Sequence, residues 1–106
     1  MAEVKVTQVS RVAAGTGAVV DAEGTAIAVF NIGGTFYAIA NACTHMGGPL
    51  GKGQVEGTTV TCPWHGSQFN VTSGQVLRGP ARRLVATYPV RVQGDDVFVA
   101  VEKTSP

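Results

Sequence analysis

Short runs of alternating apolar and polar residues fill most of the chain, broken by glycine-containing turns at the roughly eight- to twelve-residue spacing of small all-β proteins. Val4, Val6 and Val9 sit among polar partners and predict an opening strand, followed by a glycine turn at 15–17. Residues 18–20 and 25–30 read as strands divided by the Glu23-Gly24 turn. Gly33-Gly34 tolerates positive φ and predicts a hairpin, with a return strand over 35–39. Residues 54–61 read as a short hairpin, and 68–71 and 75–77 flank a turn at 72–74. A strand over 84–92, a turn at Gly94-Asp95 and a last strand over 97–101 complete the pattern. No helical period of useful length occurs. The expected fold is an all-β antiparallel sandwich or barrel.

At 106 residues the chain fits one domain, and it is too short for a second core. Hydrophobic residues are 44% and charged residues 14%, a globular balance. Net charge is +1 without a basic run, so nucleic acid is not an expected partner. The start Met-Ala-Glu-Val-Lys-Val lacks a signal-peptide core, and no window approaches the roughly 18 apolar residues of a membrane span. The expectation is a soluble, cytoplasmic protein with no membrane contact.

The candidate chemistry is concentrated in two loops. The chain has two cysteines and two histidines, and all lie in Cys43-Thr44-His45-Met46-Gly47-Gly48-Pro49-Leu50 and Cys62-Pro63-Trp64-His65-Gly66. They form two pairs, C-x-H and C-x-x-H, separated by residues 46–61. Core cysteines and histidines would scatter; this grouping reads as a four-ligand metal site with soft and borderline donors. Cys43, His45, Cys62 and His65 are the candidate ligands. A structural zinc site uses the same donor set, although zinc motifs more often open C-x₂₋₄-C.

C-T-H followed by C-P-W-H-G-S resembles the Rieske-type [2Fe–2S] ferredoxins, and the motif covers about a quarter of the chain. That resemblance implies one [2Fe–2S] cluster per chain, with Cys43 and Cys62 on one iron and His45 and His65 on the other. It implies a single domain over 1–103, with cluster-binding loops 43–50 and 62–67, a proline loop 79–81 and a tail over 104–106. The ligand loops would form a small cluster-binding tip inserted between strands of the larger sheet. Gly47, Gly48 and Gly66 would let the backbone approach the cluster, and the loop containing Pro80 would lie over it. Ser67 would donate a hydroxyl hydrogen bond to a bridging sulfide, although a serine exposed at a strand end is the plainer reading. Met46 and Trp64 would limit water at the tip. Gly48, Trp64 and Phe69 stand where the respiratory branch has two bracing cysteines and a tyrosine. The implied potential is therefore in the low part of the roughly −150 to +300 mV range.

The resemblance further implies an electron carrier, not an enzyme, taking electrons from a flavin-dependent reductase to a terminal Rieske oxygenase of a ring-hydroxylating dioxygenase system. A monomer is expected. The small subunit of an assimilatory nitrite reductase and a redox-sensing binding module are the alternatives. Lys52, Arg82 and Arg83, close in sequence to the ligand and proline loops, are expected to meet an acidic partner surface.

Overall fold

Strand β3, Thr25–Ile32, is buried on both faces over most of its length and is the wall around which the fold is arranged. The computed structural model describes residues 2–101, and the tail expected over 104–106 lies outside them. β3 pairs antiparallel with β2, Thr16–Ala22, and with β4, Thr35–Ala40. A two-residue strand β9, Thr87–Tyr88, extends this sheet beyond β4, giving the order β2-β3-β4-β9. A second sheet has the order β1-β11-β10 and comprises β1, Ala2–Gln8, β10, Val90–Gln93, and β11, Asp96–Val101.

Side chains alternate across a strand, and in β3 the alternation divides two cores. Ile27 and Val29 pack with Val12, Phe36, Val97, Val99 and Val101 between the two sheets. Ala28 and Phe30 point the other way, into a core with Leu50, Val60, Phe69, Val71, Cys43 and Cys62. That second core belongs to a small four-stranded sheet, β5-β6-β7-β8, built from Gln54–Glu56, Thr59–Thr61, Gln68–Asn70 and Val76–Arg78. Residues 41–86 carry this sheet as an insertion. They leave the larger sheet after β4 and rejoin it at β9, where Ala40 N–H donates to Ala86 C=O at 2.9 Å and Ile39 pairs with Thr87.

The all-β antiparallel expectation holds, with local differences. Val9 belongs to a short 3-10 turn, Val9–Arg11, because its N–H donates to Asp95 C=O and Ser10 to the Asp95 carboxylate. A second 3-10 turn, Leu50–Lys52, packs against β2, where a Cβ on Gly51 would reach Val19 and Ala18. The expected glycine turn at 15–17 is shorter, since Thr16 and Gly17 already belong to β2. The expected strand over 84–92 is broken into β9 and β10 around Pro89, which has no N–H for a sheet ladder. Leu84 points to solvent. No helix among the described residues is long and apolar enough to cross a membrane.

Candidate metal centre

Both cysteine loops close by the same pair of backbone hydrogen bonds. In the first, Gly47 N–H donates to Cys43 C=O at 2.7 Å and Cys43 N–H to Gly48 C=O at 2.9 Å. In the second, Gly66 N–H donates to Cys62 C=O at 3.1 Å and Cys62 N–H to Ser67 C=O at 2.7 Å. The fifth residue of each loop is left-handed, with φ of +79° at Gly47 and +80° at Gly66. Glycine is required there by conformation, since a Cβ at either position would meet no protein atom within 4 Å. Close approach, expected at all three glycines, applies to Gly48. A Cβ at Gly48 would lie 2.6 Å from Cys62 Sγ and 3.1 Å from Trp64 Cγ.

The loops are anchored differently. Asn41, just after β4, accepts Leu50 N–H through its carbonyl and Gly51 N–H through Oδ1, each at 2.8 Å. The first loop is thereby pinched at its base, where Ala42 and Pro49 form an isolated bridge. β6 and β7 carry the second loop between them as a hairpin connection. The proline loop and the residues just after it are tied to both ligand loops. Thr44 Oγ1 donates to Arg83 C=O at 2.7 Å, and Ala81 N–H donates to Ser67 Oγ at 2.9 Å. Ser67 is fully buried, not exposed at a strand end, and in accepting from Ala81 it keeps its own proton for a second partner. Pro80 is exposed and follows a cis Gly79-Pro80 bond.

Cys43 and Cys62 are free cysteines, both buried. Burial pushes the Cys43 thiol above its ordinary value. The backbone N–H groups of His45 and Met46 bond its sulfur and oppose that rise, while neighbouring Cys62 adds to it. The imidazoles face outward: His45 and His65 are exposed, their ring centres 5.0 Å apart and their planes at 86°. The donors therefore come as a buried sulfur pair and an exposed nitrogen pair. Among the described residues, no three Cys, His, Asp or Glu side chains group around a single ion. Paired donors can hold a two-iron cluster with two protein ligands on each iron. A tetrahedral zinc site needs all four donors around one point.

A cleft of about 380 Å³ opens beside His45, lined by Thr44, Pro80, Arg82 and Arg83. Lys52, grouped with these arginines in the sequence reading, is exposed on the 3-10 turn packed against β2 and does not line the cleft. The bracing residues Asn41, Thr44 and Gly74 were not singled out in the sequence. Gly74 has φ of +77°, and a Cβ there would overlap Val85 C=O, whose residue donates its N–H to Gly74 C=O at 2.8 Å. A glycine between two short strands was the one signal that could have exposed this crossing.

The Rieske [2Fe-2S] domain family matches residues 2–89. The 3-phenylpropionate/cinnamic acid dioxygenase ferredoxin subunit of Escherichia coli (strain K12) is 41% identical over 81 residues, 76% of this chain and 76% of that protein. The solved ferredoxin of carbazole 1,9a-dioxygenase from Nocardioides aromaticivorans IC177 superposes with a TM-score of 0.91 at 28% identity, covering 96% of this chain and 100% of the other. A ferredoxin solved in a complex of reduced oxygenase and oxidised ferredoxin in carbazole 1,9a-dioxygenase gives 0.88 at 33% identity, covering 98% and 97%. With its duplicated Cys–His loops and a match that spans most of its length, this chain belongs to the Rieske [2Fe-2S] domain family.

Proposed function

We propose that this chain is a single-domain one-electron carrier of a ring-hydroxylating dioxygenase system, receiving electrons from a flavin-dependent reductase and delivering them to a terminal oxygenase. When bound, the [2Fe–2S] cluster supplies the one-electron couple. Cys43 and Cys62 hold it from the buried side as thiolates, and His45 and His65 hold it from the exposed side as neutral imidazoles. The observation that carries the reading is this segregation, with buried sulfurs and exposed rings. Buried sulfurs are shielded from oxidation and competing ligands, while the exposed rings bring the redox centre to where a partner can approach.

The surrounding residues fix that arrangement. The amides of His45 and Met46 point at the Cys43 sulfur and favour its charged form. Thr44 and Ser67 tie the two ligand loops to the stretch from Ala81 to Arg83. Gly48 leaves room for Cys62 Sγ. Two free buried cysteines suit a reducing cytoplasm. The curated relative is named a ferredoxin subunit of a dioxygenase, which supports a carrier role rather than a catalytic one.

The test is composition followed by turnover. The purified protein should contain two irons and two acid-labile sulfides per chain and give a rhombic EPR signal when reduced. It should then couple a flavin-dependent ferredoxin reductase to a Rieske oxygenase over repeated cycles. Stoichiometric zinc without sulfide, after expression with ample iron, contradicts the ligand assignment. A full cluster without reductase-driven turnover contradicts the carrier role and favours a sensing module.

A further inference from the structure

The charges of this nearly neutral chain are unevenly distributed. Within residues 41–86 the charged side chains are Lys52, Arg78, Arg82 and Arg83, with Glu56 the single carboxylate. Glu56 lines a separate groove with Thr59, Thr61 and Gln68. The two larger sheets and their turns hold the other described carboxylates, Glu3, Asp21, Glu23, Asp95 and Asp96. Two of the cations there are paired, Lys5 with Asp96 at 3.1 Å and Arg91 with Glu3 at 3.0 Å. Arg82 and Arg83 have no ion pair among the described residues, and both line the cleft beside His45. Beside His45 the cleft therefore presents two guanidinium groups, which are hydrogen-bond donors only. Apolar groups share this end: Met46 is 60% exposed and Trp64 57%, and the two directly neighbour the two histidines in sequence. Trp, Met and Arg are the residue types enriched at the centres of protein interfaces.

We propose that this end docks an acidic protein face, with a partner carboxylate entering the cleft between Arg82, Arg83 and His45, and Trp64 and Met46 covering an apolar patch beside it. The proposal rests on the electron-carrier reading and adds the polarity and anchor of the encounter. A cationic tip on a chain of formal net charge +1 orients the molecule, because its far end repels what its tip attracts. Arg82 and Arg83 act on the association rate, whereas Trp64 acts on the lifetime of the complex.

Two one-electron oxidants of opposite charge read the local field without needing the natural partner. The cluster-loaded, dithionite-reduced protein is mixed in a stopped-flow cell with ferricyanide or with hexaammineruthenium(III). Each takes one electron, giving ferrocyanide or hexaammineruthenium(II). Between about 10 mM and 0.5 M salt the Debye length shrinks from about 30 Å to under 8 Å. The ferricyanide rate should fall about tenfold, and the hexaammineruthenium(III) rate should hold or rise. Arg82→Gln/Arg83→Gln should remove most of the ferricyanide slope. Arg11→Glu, the same net charge change on the body, should leave it intact. With cytochrome b5 as an acidic protein acceptor, Trp64→Ala should slow transfer several-fold more than it slows transfer to ferricyanide, both rates being taken per intact cluster.

Salt slopes that do not differ between the oxidants, or a slope removed equally by Arg11→Glu, overturn the proposed polarity and leave the carrier reading standing. A rate to basic cytochrome c that falls with salt more steeply than the rate to cytochrome b5 also overturns it. No electron transfer to either oxidant overturns the carrier reading itself, and the proposal with it.

Discussion

Gly48→Ala separates a sulfur fixed by iron from one that is merely nearby. Gly48 is buried, and its carbonyl accepts Cys43 N–H at 2.9 Å. An added Cβ would lie 2.6 Å from Cys62 Sγ, where ordinary contact begins at 3.4 Å, so the sulfur must retreat by about 0.8 Å. Iron–sulfur distances hold to within about 0.2 Å. An iron-bound thiolate cannot make that retreat, whereas a free thiol can turn about χ1. Overpacking costs about 1–3 kcal/mol, and in a domain of this size each kcal/mol moves Tm by about 4–8 °C. That loss should appear in the cluster-loaded protein and be largely absent from the cluster-free form. Gly47→Ala is the control. It meets no neighbour but must adopt φ of +79°, so it should cost about 1–2 kcal/mol in both forms. The assay is thermal unfolding of loaded and cluster-free protein, with iron and labile sulfide measured per chain. If Gly48→Ala takes a full cluster and shows an unchanged loaded Tm, Cys62 Sγ is not held where the ligand assignment requires it. Equal losses in both forms would refute the reasoning too.

Three further outcomes are expected. Ser67→Ala should lower the reduction potential, by removing a hydroxyl donor from the cluster surroundings, and cost about 1–3 kcal/mol by leaving buried Ala81 N–H unpaired; Phe69→Tyr should raise the potential, and protein-film voltammetry reads both. Asn41→Ala should cost about 1–3 kcal/mol, read by thermal unfolding, because Gly51 N–H loses its acceptor in a buried turn. Cluster-free protein should lose stability in alkali. A thiol raised above its ordinary value of 9.0 by burial stabilises the fold below that value and ceases to do so as the pH rises through its folded one. Urea midpoints from neutral pH to pH 10 check this, and a Cys43→Ser variant should show the smaller alkaline fall.

Local pattern made the ligand loops legible. Cys, His and Gly recur within five residues in each, and the alternation on either side predicts strands whatever the fold beyond them. Hairpins at Gly33-Gly34 and Gly94-Asp95 were readable for the same reason, since left-handed turns favour glycine. The region 84–92 misled because apolar residues there suggest one strand, while Pro89 and the Val85–Gly74 hydrogen bond break the ladder. Braces over the site were out of reach. Thr44 meets Arg83 across 39 residues and Ser67 meets Ala81 across 14, and neither contact leaves a periodic trace. The same holds for the arginines: sequence proximity grouped Lys52 with Arg82 and Arg83, but the path of the chain carries only the two arginines to His45.

The double-faced burial of β3 has a consequence for how such a protein can change. Ile27 and Val29 answer to the packing between the larger sheets, while Ala28 and Phe30 answer to the packing around the two thiols. Adjacent codons therefore govern separable traits. Mutations at 27 and 29 can retune thermal endurance with little effect on the sulfur surroundings, whereas drift at 28 and 30 is felt at the cluster. A single-residue deletion in β3 would exchange the two sets, so this strand tolerates substitution far better than any change in its length.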